Sequence, residues 1–219
     1  MALRRLVLIV LICPWIIGLV PLSWQDSFVT RLEILALVET LNAELLSHPS
    51  ATLTLERWCN DHGLARDAKV VAHLQRGAEK PLEDADKERL AVGAADPLRY
   101  RHVRLFCGDK LLSEADNWYV PSRLTPEMNR LLDETDTPFG RAVRDLNFRR
   151  ETLSAKLLWS PLQERWEASP LPHFAPDSRL EGPEHVLEHR ALLRTDANVP
   201  FSLVVETYTR DVLAFPLPQ

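Results

Sequence analysis

The residue order predicts an α+β domain, with helices set in front of and between about six strands that pair mainly as antiparallel neighbours. Two hairpin signals and one change of period carry that expectation. Residues 100–106 and 111–120 flank Gly108-Asp109, and residues 186–194 and 201–210 flank a link around Asp196-Ala197-Asn198. Ahead of both hairpins the apolar residues recur at helical rather than alternating spacing. Over 26–46, Ile34, Leu37, Val38, Leu41 and Leu45 fall on one helical face, and His48-Pro49-Ser50 breaks the pattern. A shorter helix is expected over 53–62, with Gly63 just past its end. Residues 69–76 are β-branched at the start and stop at Gly77, as a strand would, and the charged stretch 82–90 reads as a surface helix over the sheet. Thr125-Pro126 starts a further helix, with threonine as N-cap and proline at the first helical position. A second short helix fits 137–146, and 148–159 is a strand. Pro161, Pro170, Pro172, Pro176 and Pro183 then punctuate a long loop expected to lie outside the core.

Composition sets outer limits on function. With 219 residues, 46% of them hydrophobic, the chain can bury a core of one domain plus a short appendage, so disorder is excluded as the dominant state. Seven glycines and three cysteines exclude a collagen-like or disulfide-dense scaffold. A net charge of −5 leaves no basic excess for phosphates, so nucleic acid is not an expected partner.

The first 25 residues have a chemistry of their own. Arg4 and Arg5 precede an uncharged run over 6–24, interrupted by Pro14, Gly18 and Pro21. That is the pattern of an export signal or N-terminal membrane anchor, long enough to cross a bilayer, with the arginines kept on the cytoplasmic side. The expected organisation is a targeting segment over 1–25 and a monomeric domain over 26–219. The domain is then exported, periplasmic or held at the inner membrane, and touches the membrane only through that segment. Cys13 lies in the run. Cys59 and Cys107 each sit beside apolar residues and are expected to be unpaired buried thiols.

Two constellations could carry chemistry. His185, Glu188 and His189 match the spacing of an inverted zinc-peptidase motif, but that motif needs a helix and a further carboxylate ligand, and this stretch reads as a strand. On a regular strand the two histidines share a face while Glu188 points away, so no metal site is expected. Arg101 shares an alternating face with Val103 and Leu105, and Glu206 sits mid-strand among Val204, Val205 and Tyr208. Charges so placed are costly unless they are paired or used.

Resemblance sharpens that second pair. Arg101-His102-Val103-Arg104-Leu105, a hairpin returning to Trp118-Tyr119-Val120-Pro121, then Thr137-Pro138-Phe139-Gly140-Arg141, Arg150-Glu151, Pro200 and Glu206 follow one another in this order. Over residues 50–208 the chain resembles the chorismate lyase family, and the Thr-Pro-Phe-Gly-Arg stretch is the most specific piece. The resemblance implies a six-stranded, mainly antiparallel sheet with flanking helices, and a reaction with no cofactor or metal that splits chorismate into 4-hydroxybenzoate and pyruvate. It implies Arg101 as the clamp on a substrate carboxylate, with Arg99 and Arg104 as rivals for that place, and Glu206 as the catalytic group. Phe139 and Leu53 would line the pocket, with Arg101 and Glu206 facing one shared cavity. Because chorismate is made in the cytosol, export favours an alternative on the same fold: a non-catalytic protein that binds a small aromatic carboxylic acid.

Overall fold

A computed structural model describes residues 22–77, 79–93 and 96–217. Its elements run β1 (Ser23–Gln25), α1 (Phe28–Ser47), α2 (Ala51–Asp61), β2 (Val70–Gln75), α3 (Asp84–Arg89), β3 (Arg99–Cys107) and β4 (Lys110–Tyr119). They continue with α4 (Pro126–Glu134), α5 (Phe139–Ala142), β5 (Arg149–Leu157), β6 (Arg179–Glu181), β7 (His185–Arg194) and β8 (Pro200–Thr209). Six strands form one sheet in the order β2-β3-β4-β8-β7-β5, every neighbouring pair antiparallel, and β1 and β6 form a small second sheet. The fold is α+β with a six-stranded antiparallel sheet and flanking helices.

Local chemistry explains where the elements start and turn. Ser27 caps α1 by accepting from the Thr30 amide at 3.0 Å, Ser50 caps α2 through Leu53, and Thr125 caps α4 through Met128 with Pro126 in the first turn. The β3–β4 turn needs Gly108: its φ is +58°, and a Cβ there would lie 2.8 Å from the Ala65 Cβ. Ile34, Val38, Leu41 and Leu45 form the buried stripe of α1. They join α2, α4 and α5 over one face of the large sheet. On the other face Leu82 and Leu90, which flank α3, pack with Trp118, Val120, Leu192 and Leu203. Beneath α3, the buried Asp86 pairs with Arg89 and Arg190.

Three expectations are corrected here. Cys59 and Cys107 are not independent thiols but a disulfide. Packing of α2 across β2 and β3 brings the two Cα atoms to 6.6 Å although 48 positions separate them, and linear spacing carries no trace of that. Closing such a loop stabilises the fold by about 4 kcal/mol in the chain-entropy account. The folded part also begins before Asp26: Trp24 is buried, and β1 pairs with β6 inside the proline-rich stretch. The rest of the expected targeting segment, residues 1–21, lies outside the described residues. Lastly, His185 and His189 do not share a face. A bulge sets His185 opposite Thr209 but Leu187 opposite Tyr208, so the alternation slips by one residue between the two histidines. His189 turns into the core, while His185 approaches Glu114 on the other face at 3.7 Å.

Candidate functional site

The sheet register decides which side chains meet. Arg101, Asn117, Val204, Ala191 and Thr152 form one row across β3, β4, β8, β7 and β5. Val103, Ala115, Glu206 and His189 form the next. Both rows belong to the helix-covered face, so Arg101 and Glu206 are on the same side of the sheet, two strands and one row apart. Ideal spacings put their Cα atoms roughly 12 Å from each other.

They nonetheless open onto different spaces, which corrects the expectation of a shared cavity. Glu206 lines a cavity of about 30 Å³ with Phe139, Asn117, Arg150, Ser50 and Thr52. That is room for water, well short of the roughly 300–1,000 Å³ of ordinary ligand pockets. Arg101 instead lines an open groove of about 440 Å³ with Arg76, Arg99, Tyr119, Leu132 and Asp133. Asn117 belongs to the cavity and its row neighbour Arg101 to the groove, so this row is the wall between them.

The two sites differ in how their charges are answered. Arg101 is 3% exposed, and its Nη2 donates to the Thr137 and Thr135 carbonyls at 3.1 and 3.4 Å. Its Nε and Nη1 are buried with no partner among the described residues, and so is the Asn117 Nδ2. Burial pulls the Arg101 pKa below its ordinary value, while Tyr119, Asp136 and Asp133 act in the opposite sense without a direct bond to it. Of the two rivals, Arg99 is taken by Asp133. Arg104 lies on the opposite face, paired to Glu114 at 3.0 Å.

Glu206, by contrast, is enclosed by partners. Arg150 Nη2 donates to Glu206 Oε2 at 2.5 Å, and the buried Tyr208 hydroxyl donates to the same oxygen at 3.2 Å. Burial opposes the Arg150 charge, but Glu206 and Tyr208 hold its pKa above the ordinary guanidinium value. Next to the pair stands His189, fully buried, its Nε2 at 2.8 Å from Asn42 Oδ1. Burial, with the neighbouring Arg150 charge adding to it, pushes the His189 pKa down to about 4. Burial first, then the Glu206 charge, raises the Tyr208 pKa well above its usual value.

The Thr-Pro-Phe-Gly-Arg stretch builds the lid of the cavity. Phe139 packs between Tyr119 and Phe201, with ring centroids 5.6 and 6.5 Å away. A Cβ on Gly140 would lie 2.9 Å from the Ser50 Oγ, so a side chain there would push the hydroxyl that caps α2 aside. Arg141 ties the same two helices together through Glu56. Leu53 is not at the wall: it is 41% exposed, and the helical turn presents Thr52 to the cavity in its place. Arg150, Asn117 and Tyr208 are the residues that sequence reasoning did not single out for a site, and His189 was weighed there only as a metal ligand. Period-two alternation places Arg150 and Thr152 on one face of β5, and that was the available signal.

No family model matches the sequence. A curated protein does: the chain is 53% identical over 197 residues, 90% of its own length and 83% of the other's, to the uncharacterized protein y4mC of Sinorhizobium fredii. The chain belongs to the y4mC family. Among solved structures, it resembles the effector domain of PhnF from Mycobacterium smegmatis, with 12% identity, 74% of this chain and 90% of that one covered, and a TM-score of 0.47. It also resembles a GntR-family transcriptional regulator from Enterococcus faecalis, with 13% identity, 68% and 99% covered, and a TM-score of 0.40. Neither structural likeness is close enough to carry a ligand or an activity across.

Proposed function

We propose that this y4mC-family protein binds a small carboxylic acid on Arg101, outside the cytoplasm. The observation that carries the reading is the set of unanswered donors: a guanidinium 3% exposed, with two nitrogens lacking partners among the described residues. Donors without acceptors, around a buried positive charge, fit an anion with two oxygens, and a carboxylate matches a guanidinium edge bidentately. The groove beside Arg101 has apolar walls at Leu74, Leu98 and Leu132 that suit the body of such an acid. Two features support the location: Arg4-Arg5 ahead of the uncharged run, and the Cys59–Cys107 disulfide, a bond that persists in oxidising compartments.

Pyruvate elimination from chorismate is the second reading. It is favoured by one observation, that Glu206 stands on the same sheet face as Arg101, one row away. Against it, the Glu206 carboxylate is occupied by Arg150 and Tyr208, and its cavity holds no more than water. A thermal-shift screen of 4-hydroxybenzoate, benzoate and chorismate, with pyruvate release followed in parallel, separates the readings. Binding predicts a shift of about 2.7 kcal/mol in stability at 100 times the dissociation constant, lost in Arg101→Ala, with no pyruvate formed. Arg101→Lys keeps the charge but not the fork and should bind more weakly than wild type. Pyruvate from wild type but not from Glu206→Gln would establish the lyase. No shift with any acid removes both.

A further inference from the structure

The proline-rich loop builds a cavity that the sheet and its helices do not need. Phe28, Leu162, Trp166, Leu171 and Phe174 give most of the apolar lining of this space, about 220 Å³ between the loop and the start of α1. None of these residues belongs to the two hydrophobic clusters that fill the faces of the large sheet. They form an apolar group of their own. Phe28 and Trp166 touch, with ring centroids 5.8 Å apart, and the Arg31 guanidinium lies over the Phe174 ring at 5.3 Å. Glu164, Arg165, Glu167 and Asp177 are exposed along the same loop, so its outer side meets water while Trp166 and Phe174 turn inward.

The walls are held from both ends of the loop. Arg31 donates to the Pro161 carbonyl at 2.6 Å where the loop begins. Where it ends, Asp26 donates its amide to the Ser178 carbonyl at 2.9 Å, and Gln25 its side-chain amide to Pro176 at 2.6 Å. Pro170 and Pro172 fix φ in between. Loops this long are uncommon in compact domains unless they carry a function. The charges at the cavity are already answered: Arg31 donates from Nε and Nη2 to the two Asp26 oxygens at 2.7 and 2.9 Å. Among the described residues, none of those lining the cavity keeps a buried polar atom without a partner. That is the reverse of Arg101. Nothing here calls for an ion, and apolar surface is what a ligand would cover. An apolar cavity of about 150 Å³ in another protein takes up benzene, whereas drug-sized pockets begin at roughly 300 Å³. The volume therefore suits a single ring or a fused pair, and a flat aromatic molecule gains from ring contacts with Phe28, Trp166 and Phe174. We propose that this cavity is a second ligand site, which takes a small neutral aromatic molecule of the phenol or indole class, independently of the acid at Arg101.

The full chain, with fluorotryptophan at its six tryptophans, is placed in lipid nanodiscs and titrated with indole by fluorine NMR. Empty discs serve as the blank for indole dissolved in lipid, and Trp166→Phe identifies the Trp166 signal. That signal is expected to shift and saturate while those of Trp58 and Trp118, in the core clusters, stay in place. An excess of 4-hydroxybenzoate should leave the shift unchanged. Phe174→Ala removes one wall and should weaken indole binding by about tenfold or more. Its ring is half-buried and outside both core clusters, and unmoved Trp58 and Trp118 signals in the variant check that the fold is intact. No saturating shift at Trp166 up to the solubility of indole overturns the proposal. Equal shifts at every tryptophan mean unspecific partition, and full affinity in Phe174→Ala places indole elsewhere; either result overturns it. Displacement of indole by 4-hydroxybenzoate removes the second site, because one site then serves both ligands.

Discussion

Arg150 and Arg101 are both buried cations on the helix-covered face of one sheet, yet their surroundings are opposite. Arg150 meets a carboxylate at 2.5 Å within a group that also includes Tyr208 and His189, although its Nε has no partner among the described residues. Among the described residues Arg101 has only two backbone carbonyls as partners, and two of its nitrogens are unanswered. A paired charge in a closed cavity behaves as structure, because removing either partner strands the other away from water. An unpaired charge beside an open groove behaves as a receptor, because the missing partner has a route in. The difference teaches that burial alone does not identify a binding residue; the bookkeeping of donors and acceptors does.

The largest expected effect comes from cutting the pair. Arg150→Met should lower stability by about 3–5 kcal/mol in urea unfolding, because Glu206 is left buried without its cation. A cost near zero would mean that Glu206 is free in the folded protein, and the contrast with Arg101 would collapse.

Acid should act on the same region and less strongly. His189 has a folded pKa of about 4 against an ordinary 6.5, so the unfolded chain takes up this proton first as pH falls. Its contribution is complete above pH 6.5 and is lost progressively down to pH 4, by up to about 3 kcal/mol. The Arg150 charge is part of the cause, so the slope should be shallower in Arg150→Met. Stability curves in urea from pH 7 to pH 4 check both statements, and an unchanged slope in the variant would separate His189 from the pair.

Arg101→Met should change the stability of the ligand-free protein least, within about 1 kcal/mol. The relief from burying an unpaired charge offsets the bonds lost at Thr135 and Thr137. The same substitution should abolish stabilisation by an aromatic acid. If it unfolds the ligand-free protein as Arg150→Met does, Arg101 is structural after all.

Much of the architecture is written in local pattern. Gly108-Asp109 marks one hairpin because a glycine there can take φ above zero, and Thr125-Pro126 marks a helix start because the cap and the missing amide both suit one. Period-two spacing placed Arg101 with Val103 and Leu105, and the sheet keeps them together. Pattern failed where a single residue shifts a register or a contact joins distant segments. One bulge in β7 separated His185 from His189, and Leu53 yielded its place to Thr52 through the phase of a helical turn. The β1–β6 ladder was hidden because one strand lies in an apolar run and the other among prolines.

By itself, then, the sequence determined the α+β class, the order of the elements, the two hairpins and the presence of buried charges on core strands. These follow from hydrophobic period and turn chemistry within windows of a few residues, where the physics is local. Tertiary structure alone decided that Cys59 joins Cys107, that Glu206 belongs to Arg150, and that Arg101 is left with unanswered donors beside an open groove. Each of those outcomes depends on distances between segments 34 or more residues apart, as from Arg101 to Thr135. Such distances are set by how helices seat on the sheet, which no local window contains.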